Sequence, residues 1–147
     1  MSHTDQEVSH TFDSLNIGDS YEIHRFVSEH DVLTFAEITG DDNPLHVDAA
    51  YAEGTRFGYR IVHGVFLLGL ISKVLGRDFP GPGSVAVSIS CRFLRPVRVN
   101  SEVRVLVKVR EKFENRRYVK AETYVYNDAN KISVKGEATI IPPADSD

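Results

Sequence analysis

The stretch that decides the fold is Ile61-Val62-His63-Gly64-Val65-Phe66-Leu67-Leu68-Gly69-Leu70-Ile71-Ser72-Lys73-Val74-Leu75. Ten of these fifteen residues are aliphatic or aromatic. Helix-forming residues dominate after Gly64, and apolar side chains fall on nearly every helical face. A helix that is apolar all round has to be buried, so its neighbours must enclose it. Crossing a membrane is excluded by length: the run free of Asp, Glu, Lys and Arg ends at Ser72, twelve residues on, and a span needs about 20.

The C-terminal half supplies the enclosure. Val85, Val87, Ile89, Cys91 and Phe93 alternate with small or polar residues, and Val103, Val105, Val107 and Val109 do the same. Tyr118–Tyr126 and Ile132–Ile140 continue the period of two, with Asn127-Asp128-Ala129-Asn130 as the turn between them. Consecutive strands joined by turns make an antiparallel sheet, and such a sheet needs one face covered. The pattern therefore predicts an α+β fold, an antiparallel β-sheet wrapped around a central apolar α-helix, which is the hotdog arrangement. On the strand parity, Cys91 belongs to the core.

Upstream of the central helix the elements are shorter. Tyr21–Val27 is a β-type run. Ser28 has the features of an N-cap, with Asp31 at the third helical position to suit the exposed N–H groups. Val32, Phe35, Ala36 and Thr39 follow at helical spacing, Gly40 closes that helix, and Asp48 caps a short one through Ala49, Ala50 and Tyr51. The polar stretch Met1–His10 is expected to fray, and Pro142–Asp147 forms a polar tail. One domain over residues 1–147 is expected, ordered from about 12 to 141.

Composition narrows the function classes. The net charge is −4 with a pI near 5.8, which argues against nucleic acid or an anionic membrane as the main partner. A single Cys leaves no disulfide framework and no multi-Cys zinc site. The opening residues MSHTDQEVSH have no apolar segment of the secretory type, so a soluble cytoplasmic protein is expected.

The reactive groups concentrate in Gly40-Asp41-Asp42-Asn43-Pro44-Leu45-His46. Asp41 and His46 stand five apart across a turn stiffened by Pro44, which can place both side chains on one pocket. A carboxylate and an imidazole are the commonest proton-transfer groups near neutral pH. On spacing alone, Asp41 and Asn43 serve equally as Asx turns and His46 as a solvated loop histidine. Asp41, Asp42, His46 and Asp48 are a weak metal-ligand pattern.

The segment resembles the G-D-x-N-P-L-H signature of the MaoC-like, (R)-specific enoyl-CoA hydratases. Phe35 and Ala50 match the flanks, Ile61-Val62-His63-Gly64 matches the start of that family's central helix, and Gly81-Pro82-Gly83-Ser84 matches the loop before the next strand. The resemblance is strong over roughly residues 28–100. It implies that Asp41 and His46 are the catalytic pair and that the backbone N–H of Gly64 polarises a thioester carbonyl. It further implies that Ser72 is an active-site serine and Asn43 the organiser of the loop. The implied substrates are trans-2-enoyl-CoA and (R)-3-hydroxyacyl-CoA. No cofactor and no metal are implied, since proton transfer and charge stabilisation suffice. The implied assembly is a homodimer or a multiple of dimers, because the family's site lies where two subunits meet.

Other residues have competing roles. His63 precedes a helix, where packing or capping competes with a role as second base. Arg56, Arg60, Arg92 and Arg95 are candidates for CoA phosphates. Two other functions remain open at this level: a hotdog acyl-CoA thioesterase and a non-catalytic acyl-CoA-binding module.

Overall fold

A computed structural model of the chain describes residues 9–144. The expected polar stretch up to Val8 and the last three residues of the tail lie outside them. Ser9 and His10, placed with the fraying terminus by sequence, are instead bonded to the main-chain oxygens of Pro82 and Pro80.

The order of elements is β1 (Ser20–Val27), α1 (Glu29–Thr39), α2 (Pro44–Val47), α3 (Ala49–Glu53), α4 (Gly64–Lys73), β2 (Val85–Phe93), β3 (Ser101–Phe113), β4 (Tyr118–Tyr126) and β5 (Ile132–Ile141). The last turn of α4 widens into a π turn over Val74–Asp78. The strands form one antiparallel sheet in the order β1-β3-β4-β5-β2. Helix α4 lies across β3, β4 and β5. This is the hotdog architecture that the alternation and the apolar run demand.

The inward rows explain the close packing. Val103, Val105, Val107 and Val109 are buried on β3, and each such side chain contributes about 1.5–3 kcal/mol. On β4 and β5 the buried residues include the small Ala121, Thr123 and Ala138, opposite the large Leu67, Leu70, Ile71, Val74 and Leu75 of the helical segment. Small residues in the sheet let the helix axis approach, and large ones on the helix fill the space. Gly136 extends this row: it pairs with Thr123 on one side and Cys91 on the other. Cys91 packs partly buried against the core.

Two expectations need correction. The alternation in β2 holds from Ile89 onward and fails before it. A bulge between Ala86 and Ser88 puts Ala86, not Val85, in register with buried Ile140, and all of Val85 to Ser88 are exposed. Val85 and Val87 are accordingly 56% and 49% exposed. Helix α4 is also not enclosed on every side by its own chain. Val65, Gly69 and Ser72, spaced four and three apart, form an exposed stripe along it. Among the described residues no helix is long and apolar enough to cross a membrane.

A Cβ at Gly136 would stand 2.0 Å from the carbonyl oxygen of Ser90 and 2.8 Å from Cα of Cys91, which are main-chain atoms of a paired strand. Gly136→Ala should therefore push β2 off β5 and destabilise the protein by about 1–3 kcal/mol, read from urea denaturation. Unchanged stability would show that β2 yields freely.

Candidate active site

The loop between α1 and α2 is built by caps. Ser28 and Asp31 form a reciprocal capping box at the start of α1, with bonds of 3.1 and 2.9 Å. Gly40 ends the helix in the left-handed region, φ 80°, which an L side chain adopts at a cost. Its N–H donates to Ala36 and the chain turns sharply into Asp41. Asn43 then caps α2, its side chain accepting from the Leu45 N–H at 3.1 Å, and Pro44 occupies the first helical position. Asp48 caps α3 by accepting from Tyr51.

His46 is not a solvated loop histidine. Leu45 accepts a hydrogen bond from Ile61 N–H, and the His46 Nδ1 lies 2.7 Å from the Ile61 carbonyl oxygen. That oxygen only accepts, so Nδ1 carries the hydrogen and Nε2 of the neutral ring holds a free lone pair. Val62 in turn donates to Val97 of the β2–β3 connection. The Ile61–Val62 segment thus joins α2 to the sheet and delivers the chain to Gly64. Burial lowers the His46 pKa; the Ile61 hydrogen bond opposes this, neighbouring His63 adds to it, and the Asp41 charge opposes it.

Side-chain donor atoms of Asp41, His46 and His63 all lie within 4.8 Å of one another. His63 is the member whose place at the site sequence reasoning underrated. It is 2% exposed, its ring stacks on His46 with centroids 3.8 Å apart, and Phe35 of α1 covers it at 4.7 Å. Its Nε2 donates to the Asp41 carbonyl oxygen at 3.0 Å. Packing, the first of the roles weighed for it, describes the contacts; its side chain makes no cap bond to α4. Its place beside Gly64, at the head of the apolar helix, was the signal available in the sequence.

A cavity of about 360 Å³ opens beside this cluster, lined by His46, Phe57, Gly64, Val65, Leu67 and Phe93 among others. Gly64 is the first residue of α4, where an N–H has no acceptor within the helix and the dipole favours negative charge. A Cβ there would stand 2.6 Å from the Phe93 ring, so a methyl group would intrude between helix and ring. Arg56 and Arg95 reach the cavity wall. Arg60 is held by Glu29 at 2.9 Å, and Arg92 lies on the outer sheet face in register with Lys135. Ser72, grouped with this site by resemblance, is exposed on α4, about 12 Å along the axis from Gly64. Within the chain it is not brought to the Asp41–His46 cluster.

A five-stranded sheet around a helix, with a carboxylate and an imidazole at the helix head, defines a hotdog protein with the residues of a proton-transfer site. Within that class the chain belongs to the MaoC-like family, whose domain model, described as the MaoC like domain, matches residues 14–131. It is 37% identical over 140 residues to an (R)-specific enoyl-CoA hydratase of Rhodospirillum rubrum, covering 95% of this chain and 96% of that protein. It is 39% identical to a 3-hydroxybutyryl-CoA dehydratase of Methylorubrum extorquens, covering 90% and 83%. The structure superposes on that of the R-hydratase PhaJ1 from Pseudomonas aeruginosa with a TM-score of 0.89 and 37% identity, over 93% of this chain and 88% of the other.

The lowered pKa of His46 makes two measurable statements. In an NMR titration its midpoint should fall below the ordinary imidazole value of about 6.5. Because the unfolded chain then binds the proton more readily, this group's contribution to folding is present above the unfolded pKa. It fades as pH falls from there through the lowered folded value. A midpoint above 6.5 would mean that the Asp41 charge outweighs burial.

Proposed function

We propose that this chain is an (R)-specific enoyl-CoA hydratase, adding water reversibly to trans-2-enoyl-CoA to give (R)-3-hydroxyacyl-CoA. The single observation that carries this reading is that His46, clustered with Asp41, lines one cavity together with the helix-head Gly64. Asp41 and the Nε2 of His46 both accept hydrogen bonds. The two side chains are close enough to share a water, since donor atoms of Asp41 and His46 fall within one cluster 4.8 Å across. As the water oxygen bonds the β carbon, the pair takes one of its protons. The π electrons move onto the thioester oxygen, where the Gly64 N–H meets the charge. The pair then returns a proton to the α carbon, so one C–O and one C–H bond form and one water is consumed. No step requires a cofactor or metal.

One face of the acyl plane is presented to the water, because turning the plane over would separate the carbonyl from Gly64. That is the physical support for a single product hand, and (R) is the hand named for the relatives. The same reading includes one catalytic domain and a cytoplasmic location, for which a CoA-linked substrate is the support. It also includes a homodimer or a multiple of dimers. Two features support pairing: among the described residues β2 is an edge strand bonded only to β5, and the Val65–Gly69–Ser72 stripe of α4 is uncovered. A second copy placed there would bring Ser72 under cover, as its active-site role requires.

The deciding assay mixes enzyme, trans-2-enoyl-CoA, NAD and an (S)-specific 3-hydroxyacyl-CoA dehydrogenase. Enoyl absorbance should fall without NADH, and an (R)-specific dehydrogenase should restore NADH formation. NADH with the (S)-specific partner would refute the stereochemistry. Free thiol released from saturated acyl-CoA, with no loss of enoyl absorbance, would make the protein a thioesterase. Binding with neither reaction would make it a non-catalytic module. Asp41→Asn and His46→Ala should each lower turnover at least about a hundredfold while the fold survives. The double variant should be little worse, since groups acting as a unit are non-additive. Sedimentation should show a dimer or a multiple of one; an active species of 16.5 kDa would contradict a shared site.

A further inference from the structure

His63 stands between the two halves of the site: it immediately precedes Gly64 in sequence, and its ring touches the loop that carries Asp41. The Asp41 carbonyl oxygen, 3.0 Å from Nε2, is an acceptor only, so Nε2 must carry the hydrogen. The other nitrogen, Nδ1, is buried and has no hydrogen-bond partner among the described residues. In the neutral ring that atom is a lone pair. A second proton would create a buried cationic N–H with no acceptor, which is costly. The groups around the ring are Phe35 from α1, His46 from α2 and Asp41 from the loop. The one charge among them that favours protonation, the Asp41 carboxylate, is 4.0 Å from Nε2 and 54% exposed, hence screened by water. Nε2 is already bonded and Nδ1 is enclosed, so neither nitrogen is placed to exchange a proton with substrate.

We infer that His63 is a positioning residue: a neutral Nε2–H imidazole that ties the Asp41 main chain to the head of α4 and so sets the distance from the Asp41–His46 pair to the Gly64 N–H. This rests on the roles proposed above for those three residues. Asp41 otherwise lies in a short exposed segment between the Gly40 turn and the Asn43 cap. A displacement of about 1 Å at a reacting group can cost about 100-fold in rate. The stacked histidines thus hold opposite tautomers, His46 with its hydrogen on Nδ1 and His63 with its hydrogen on Nε2. Each donates to a main-chain carbonyl and each holds a different segment of the site.

The test begins with the wild-type protein labelled with ¹⁵N-histidine. Long-range proton–nitrogen correlation should show His63, assigned by its absence in His63→Gln, with its hydrogen on Nε2 and a lone pair on Nδ1. A hydrogen on Nδ1 would overturn the inference whatever the enzyme's activity. The kinetic arm uses His63→Phe, which keeps a ring on His46 but removes the donor, and His63→Gln, which returns an N–H at about the same reach. His63→Phe should lose roughly 30- to 100-fold in kcat with KM changed less than about threefold. His63→Gln should recover roughly tenfold of that loss and keep the acid limb of the wild-type pH profile. Near-normal kcat in His63→Phe would overturn the inference. So would a His63→Gln protein that melts like wild type, is as slow as His63→Phe and has lost a limb, since His63 would then be a second base. If His63→Phe fails to fold, the wild-type tautomer and His63→Gln still decide. Undiminished activity in Asp41→Asn would instead remove the catalytic reading and leave the tautomer result standing.

Discussion

An α-helix that is apolar on nearly every side has to be surrounded, and a single sheet can curve around only part of it. Most of this structure follows from that constraint. The sheet supplies a row of valines on β3 and small residues on β4 and β5, so that Leu67, Ile71, Val74 and Leu75 settle close to the strands. Gly136 belongs to the same solution, because β2 closes against β5 where even a methyl group would meet main chain. Seating the helix this deeply fixes its first residue as well. Gly64 cannot move without disturbing a packed core, so its N–H has a defined direction relative to the cavity.

The loop residues gain their geometry from that fixed point. Gly40 to His46 is short of buried apolar side chains and would be poorly placed alone. It is held by main-chain and imidazole bonds to the segment that leads into α4: Leu45 and His46 to Ile61, and Asp41 to His63. Partial burial then gives His46 its chemistry. The ring is shielded enough for its charged form to be disfavoured, yet it keeps the Asp41 carboxylate close, which limits the shift. A histidine held neutral beside a carboxylate can accept a proton from water and, once charged, return it.

The features legible in the sequence share a local cause. The Ser28 capping box, the Gly40 turn, the Asp48 cap and the alternation in β3 to β5 depend on residues within a few positions of one another. For Asp41 and His46 spacing alone left a shared pocket and separate loop roles equally open; the resemblance to the MaoC-like signature singled them out, and the fold brings their side chains within 4.8 Å. Features set by distant partners were not legible. The parity of Val85 and Val87 is reversed by a bulge, which arises from how β2 meets β5 and leaves no trace in an alternating apolar pattern. The contact between His63 and Asp41 spans 22 positions and depends on the seating of α4. Arg60 is held by Glu29, 31 positions away, so its residue type gave no means of separating it from Arg56.

The exposed stripe on α4 is the part of the opening constraint that the chain does not satisfy by itself. Val65 is 60% exposed although it lies one residue beyond Gly64 and lines the same cavity. Phe93, whose ring covers the other side of Gly64, is 55% exposed and sits at the end of the edge strand β2. Two apolar walls of the cavity thus face water. A thioester carbonyl is polarised most strongly where water is excluded, because the same N–H acts through a lower dielectric. Covering Val65 and Phe93 would therefore satisfy the helix and dry the oxyanion position in one step. Burial of the helix and polarisation of the substrate are, on this geometry, the same physical requirement, and it ties the proposed second copy to the chemistry as well as to stability.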